Sequence, residues 1–379
     1  MPLADELLGA REARALITTL TAADPGNPFT ATRAASESLA ELPLSGRART
    51  LAQAMLHDID GGPDRVTSVV RSACADPEFS GWMLWAVGLA VAWRAVDAGD
   101  TAAFDDGLAV LRELTPRMTS EFSVRPLLRH DLTRALDTMT EWTADPDSHV
   151  RRLASEGTRP LLPWGERVPG LIGDSQQTRP ILDALYDDPD EVVRRSVANH
   201  LNDHSRAHAD FAIRTVAEWQ RHSNGHRDSP METDIARTAR HALRTLVKRG
   251  DAGALALLGF RPAELTVSQL VLTPTLVEWG GTVRFRGEIE NVGTDPAELV
   301  IDYALHFPDA RGGERSKIFK IAHRSLAPGE RTVVEASRSF RPISTRRYYP
   351  GRHGIALQIN GVAQERADFE LLAPQEPAV

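Results

Sequence analysis

The chain has 379 residues, 42% hydrophobic and 25% charged, enough for a sizeable buried core and, at roughly 150 residues each, for about two domains. Its one cysteine, Cys74, excludes a disulfide framework and a thiolate zinc site, and fits a reducing compartment, so the cytoplasm is the expected location. No apolar run reaches the roughly 18 residues of a membrane span, and the start, MPLADELLGAREAR, is charged and helical in pattern rather than signal-like.

The formal net charge of −8 argues against a uniformly basic nucleic-acid binder, but the charge is unevenly spread. Residues 1–144 hold 13 Lys+Arg against 20 Asp+Glu, residues 145–250 hold 16 against 16, and residues 251–379 hold 15 against 16. The middle is neutral yet rich in arginine, which permits a cationic stripe balanced by carboxylates elsewhere on the same helices.

Up to about residue 260 the periodicity predicts helices, as where Leu84, Val87, Gly88, Val91 and Ala92 fall at the spacing of one buried helix face. Beyond it the period becomes two. TVRFRGEIEN places Val283, Phe285 and Ile289 on one face, and GIALQINGVA places Ile355, Leu357 and Ile359 on one face before Asn360-Gly361, a two-residue hairpin signal. With turns at GGT, NVGTD and APGE, these strands predict an all-β, immunoglobulin-like sandwich over 262–379. The helical domain is expected over 1–259, with the boundary near Gly259 to Pro262.

A repeat organises the helical part. DPDSHVRR at 145–152 matches DPDEVVRR at 188–195 in six of eight positions, an offset of 43 residues, and a weaker copy, IARTARHAL, starts at Ile235. This period fits HEAT-like helix pairs, which bury their apolar sides by stacking into an α-solenoid with a concave surface. Within each DPD an aspartate starts the helix by accepting free backbone N–H groups. At about 100° per residue, Arg152 and Glu156 share a polar face, with Val150 and Leu153 toward the core. Arg195 and Asn199 are their equivalents one repeat on, and Asp203 follows on the same face if that helix continues.

Several residues of this helical part could carry chemistry. Glu156 lies between Arg152 and Arg159 at helical spacing, either as a surface ion-pair ladder or as a held anion. Trp164, between Pro163 and Gly165 after the helix end, is either a lid on the core or an exposed stacking platform. Glu121 follows Thr119 and Ser120 at a plausible helix start, and Asp203 is either a cap of the next helix or a member of the shared face. His200, His204 and His208 have i, i+4 spacing but no accompanying metal-site acid, so no metal is expected. No phosphate-cradling loop, dinucleotide fingerprint or nucleophile elbow occurs, and no cofactor is expected.

EFSVRPLL, HVRRLASEGTRPLLPWGERVPG and DDPDEVVRRSVANHLNDHS, in this order, resemble the AlkC DNA alkylation-repair glycosylases of the AlkC and AlkD superfamily of HEAT-like-repeat proteins. The resemblance is tight over about 115–210 and looser before 110. YYPGRHGIALQING resembles the C-terminal immunoglobulin-like domain of one branch. Ser123 and Val124 stand where the family usually has an apolar pair.

The resemblance implies base excision repair: removal of cationic methylated bases, chiefly 3-methyladenine and also 3-methylcytosine, from double-stranded alkylated DNA. It implies active-site carboxylates at Glu121, Glu156 and Asp203, with Trp164 and Arg152 beside them. Arg152, Arg159, Arg194 and Arg195 are candidates for phosphate contacts. The sandwich is either a stability or interaction module or a second DNA arm that uses Tyr348, Tyr349, Arg352 and His353 in the minor groove. No obligate protein partner is implied. The competing reading is a non-catalytic helical scaffold that binds DNA or protein.

Overall fold

A computed structural model describes residues 4–223, 230–342 and 347–374 of the chain. The chain divides into two compact units, 1–242 and 243–379.

The first unit is helical. It comprises α1 (Ala4–Leu7), α2 (Ala10–Ala23), α3 (Thr30–Glu37), α4 (Leu44–Asp58), α5 (Pro63–Ala73), α6 (Met83–Ala98), α7 (Thr101–Leu114) and α8 (Arg125–His130). α9 (Leu132–Glu141), α10 (Ser148–Gly157), α11 (Pro169–Gly173), α12 (Arg179–Leu185), α13 (Glu191–His204), α14 (Ala209–Ser223) and α15 (Pro230–Ala242) follow. The expected face of α6 is buried, and so is nearly the whole helix from Met83 to Ala92, because α4, α5, α7 and α8 all pack on it. No helix among the described residues is long and apolar enough to cross a membrane.

The repeat folds as a repeat. In each DPD the second aspartate is the cap, Asp147 accepting from the His149 amide and Asp190 from the Val192 amide, both at 2.8 Å. The first aspartate has a separate task. Asp145 accepts from the Asp147 amide and from Arg112 Nε at 2.6 Å, and Asp188 accepts from the Asp190 amide and from Arg151 Nε at 2.7 Å. Arg194 continues the series to Asp234 at 2.9 Å. One arginine per repeat therefore staples the next repeat, while α10 stacks on α13 and α13 on α15.

The second unit begins with α16 (Arg244–Arg249) and α17 (Ala252–Leu257), followed, among the described residues, by nine strands. These are β1 (Leu265–Val267), β2 (Val271–Thr273), β3 (Leu276–Val277), β4 (Thr282–Asn291), β5 (Ala297–Pro308), β6 (Glu314–Leu326), β7 (Arg331–Ser339), β8 (Gly351–Ile359) and β9 (Val362–Leu371). One sheet joins β1, β2 and β7 to β4, and the other runs β3-β9-β8-β5-β6. β4 alternates as expected, with Val283, Phe285 and Ile289 in the core between the sheets.

β8 differs from its expected alternation, since every residue from His353 to Ile359 is buried. α16 supplies part of the cover: the Gln358 side chain on the outer face donates to the Lys248 carbonyl at 3.0 Å. The hairpin Asn360-Gly361 forms with left-handed φ of 46° and 79°. A Cβ on Gly361 would sit 2.1 Å from the Gly250 Cα, so only glycine permits this close approach. These contacts explain why residues 243–257 group with the sandwich, so that the unit boundary lies before the change from helix to strand between Leu257 and Leu265.

Candidate active site

Glu121 lies in the turn between α7 and α8, where Ser120 Oγ donates to the Leu111 carbonyl at 2.9 Å and ties the turn to the core. Phe122 then packs on Trp85 with ring centroids 4.4 Å apart, and Ser123 fits against Gly88, where a Cβ would come within 2.5 Å of its Oγ. The helix-start reading of Glu121 is not what forms, because α8 begins at Arg125. The carboxylate is buried and accepts at Oε2 from Thr119 Oγ1 (3.1 Å) and Arg152 Nη1 (2.9 Å).

α10 supplies the centre. Val150, Leu153 and Ala154 are in the core, and Arg152 and Glu156 lie one turn apart on the other side. Glu156 is buried, which excludes a surface ladder. Its Oε1 accepts from Arg159 Nη1 at 2.6 Å and lies 3.9 Å from Arg152 Nη2, while its Oε2 accepts from Ser196 Oγ of α13 at 2.6 Å. Arg159 also donates through Nε to Asp203 Oδ2 at 2.9 Å. Asp203 is in the last turn of α13 and is buried, so it caps no following helix.

Five side chains thus alternate in charge: Glu121, Arg152, Glu156, Arg159 and Asp203. Three carboxylates face two guanidiniums, which leaves one formal negative charge in a largely desolvated place, where charge interactions are strong. Burial pushes the Glu121 carboxyl above its ordinary range and the nearby Glu156 adds to this, while Arg152 opposes the rise. Glu121 is therefore a better proton acceptor than an exposed carboxylate.

Trp164 is 57% exposed and has a left-handed φ of 64°. It is not a lid on the core. It stands 6.4 Å from Trp82, which stands 6.1 Å from Trp85, so an aromatic row runs from Trp164 to Phe122 beside Glu121. An apolar cavity of about 280 Å³, lined in part by Leu7, Pro43, Leu44 and Trp85, opens at its side.

The sequence model of the DNA alkylation repair enzyme family matches residues 118–243, which hold the five charged residues of the row and Trp164. The C-terminal immunoglobulin-like domain described for uncharacterised protein YhaZ matches residues 266–373. The Bacillus subtilis (strain 168) uncharacterised protein YhaZ is 35% identical over 271 residues, covering 71% of this chain and 73% of that protein. The Pseudomonas fluorescens alkylpurine DNA glycosylase AlkC, solved bound to DNA containing an abasic site analog, superposes with a TM-score of 0.86 at 31% identity, over 98% of this chain and 100% of that one. The chain belongs to the AlkC family of DNA alkylation-repair glycosylases.

In this AlkC-type chain the arginines expected at phosphates part company. Arg159 is buried between two carboxylates, and Arg194 is buried with Nη1 on the Asp188 and Pro189 carbonyls and Nη2 on Asp234. Both are corrected to internal roles, since neither can reach a backbone phosphate without abandoning these partners. Arg152 is partly open but pairs with Glu121, and Arg195 is open and pairs with Glu191 of its own helix. In the sandwich His353 is wholly buried against Phe340 and Phe369, with Nδ1 donating to the Gly351 carbonyl, so it is corrected to a core residue. The Tyr348 ring meets Phe340 edge-on, Tyr349 lies under Arg347, and Arg352 is exposed on Asp368.

His200 bonds the Ser155 carbonyl through Nδ1, His204 bonds Thr178 Oγ1 through Nε2 and His208 bonds the Ile172 carbonyl through Nε2. Burial holds His200 well below its ordinary value and His204 down at about 4, so both are neutral. Ser196 and Thr119 were missed as site residues. A serine in a helix and a threonine beside a turn carry no signal until the repeat is stacked and the partner acid is in place.

Proposed function

We propose that this glycosylase removes N3-methylated, cationic bases, 3-methyladenine and 3-methylcytosine, from double-stranded DNA. The observation that carries the reading is the buried row of three acids and two arginines with its surplus negative charge beside exposed Trp164. A methylated N3 gives the base a formal positive charge, so it leaves with the bonding electron pair as a neutral molecule and needs no proton donor. The demand falls on the sugar. As the bond to C1′ breaks, the deoxyribose gains oxocarbenium character, which a preorganised carboxylate stabilises without reorganisation.

Glu156 suits the fixed charge, since both its oxygens are held, by Arg159 and by Ser196. Glu121, raised by burial, suits the acceptor of the proton that water loses when its oxygen bonds C1′. Asp203 holds Arg159 from the other side, and Trp164 offers an aromatic face to the sugar or the damaged nucleotide. Arg152 and Arg195 are the arginines of the expected set in the repeat helices that remain for phosphates, and the sandwich adds Tyr348, Tyr349 and Arg352.

The test is release of free bases from methylated duplex DNA by wild-type and Glu156→Gln protein, quantified by chromatography. Release above the spontaneous rate, lowered at least about 100-fold in the variant with duplex binding retained, is expected. Equal release by both would remove Glu156 from the chemistry, and no release by folded wild type would favour a binding scaffold.

A further inference from the structure

Arg125 follows Glu121 by four residues and is fully buried, one of the largest side chains in the protein with no exposure. Among the described residues no carboxylate hydrogen-bonds its guanidinium. Nη1 donates to the carbonyls of Gly157 at 2.9 Å and Arg159 at 2.8 Å, and Nε donates to the carbonyl of Glu166 at 2.7 Å. Nη2 is buried with no hydrogen-bond partner. Desolvation pulls the group down to about 10, which still leaves it cationic at neutral pH.

The three carbonyls define what it holds. Gly157 ends α10, where unpaired carbonyls and the negative end of the helix dipole favour a cation. Glu166 lies past Trp164, so one planar fork grips both ends of the segment 157–166. Between those ends stand Arg159, which joins Glu156 to Asp203, and Trp164, in a left-handed backbone conformation that persists only where the surroundings enforce it. A side chain of fixed shape with several donors can impose such a geometry, whereas a lysine ammonium at the same place cannot span it.

We propose that Arg125 is a positioning residue for excision: by holding both ends of 157–166 it keeps Arg159 between the two acids and Trp164 open beside them. The inference rests on the glycosylase reading for its catalytic consequence, and on backbone geometry alone for its structural one. Displacements of about 1 Å at a reacting centre lower rates about 100-fold, so the effect falls on the chemical step more than on DNA binding.

The experiment compares wild type, Arg125→Ala and Arg125→Lys by three measurements: single-turnover base release from methylated duplex, duplex binding by anisotropy, and amide hydrogen exchange of peptides spanning 158–166. Expected are a roughly 30- to 100-fold slower release in both variants, binding within about threefold of wild type, and faster exchange confined to that segment. Guanidinium ion should restore part of the Arg125→Ala rate, and methylammonium at equal ionic strength should not. Arg125→Lys keeps the charge and most of the volume, and it carries the test if the alanine protein does not fold. Unchanged release, full activity in Arg125→Lys, or slow release with wild-type exchange at 158–166 would overturn the proposal. Absence of release by wild type would instead sink the glycosylase reading, and the exchange data would still decide whether Arg125 holds the segment.

Discussion

α10 and α13 start from nearly the same eight residues and end with different duties. Both are capped by the second aspartate of DPD, and both use the first of two arginines, Arg151 or Arg194, to tie their own entry loop to the aspartate of the next repeat. Their second arginines diverge. Arg152 turns to Glu121 and Glu156, while Arg195 remains in solvent on Glu191. One turn on, Glu156 of α10 stands where α13 has Asn199, and α10 then stops at Gly157 whereas α13 continues to Asp203. The repeat therefore supplies a frame, and the chemistry is built where one copy departs from it: an acid in place of an amide, an early helix end, and Arg159 in the turn that follows.

The frame is the place to expect the largest effect. Asp188 is buried, accepts two hydrogen bonds from Arg151 and one from the Asp190 amide, and its removal leaves a largely buried guanidinium without its carboxylate. Asp188→Ala should lower the stability of the helical unit by about 3 kcal/mol or more. Asp145→Ala breaks the equivalent staple, but its Arg112 is 46% exposed and can turn to water, so about 1–2 kcal/mol is expected there. Thermal or urea unfolding of both variants checks the ranking. Equal losses would mean that the staples act through the Asx turn they share rather than through the ion pair.

The second arginines give a sharper contrast. Arg152→Met removes the cation that opposes the burial-driven rise of Glu121, so this carboxyl rises further and holds its proton to higher pH. If Glu121 must be ionised to accept a proton, the acid limb of the pH–rate profile moves upward, and excision at neutral pH falls about 10- to 30-fold. Arg195→Met, at the equivalent place one repeat on, should leave the limb where it is. A profile unmoved by Arg152→Met would take Glu121 out of the proton transfer.

The repeat, the caps, the two-domain plan and the convergence of the three acids were legible in the sequence because each depends on spacing along one element or on a motif of fixed order. Long-range partners were not. Arg159 and Arg194 are expected at phosphates because a sequence shows charge but not the long-range acids, Asp203 and Asp234, that hold it. The repeat did hold one clue: Arg194 is the equivalent of Arg151, so a staple in one copy implies a staple in the next. His353 sat in a stretch of polar and aromatic residues typical of a binding loop, yet it follows the strand period into the core once β8 is placed at the centre of its sheet. Arg125 was visible only as part of a motif, since nothing local reveals that a lone arginine after a turn will reach the carbonyls at both ends of another loop.

The smallest expected effect concerns the second arginines further along the repeat. Arg195 on α13 and Arg237 on α15 are both more than half exposed and occupy corresponding places one repeat apart, each paired, among the described residues, with an acid on its own helix. Such pairs are weak in water, so a phosphate can take over the guanidinium at little loss. Each phosphate contact made by one of them steepens the salt dependence of duplex binding by roughly one unit in the log–log slope. Arg195→Glu and Arg237→Glu should each lower the slope by about that amount, with single-turnover excision at saturating enzyme unchanged. Arg194→Gln provides the control, because its buried guanidinium faces Asp234 and the loop carbonyls: it should reduce stability and leave the salt slope as in wild type. A slope that responds to Arg194 but not to Arg195 would reverse the division of labour between the first and second arginines, and with it the reading of which face of the repeat meets DNA.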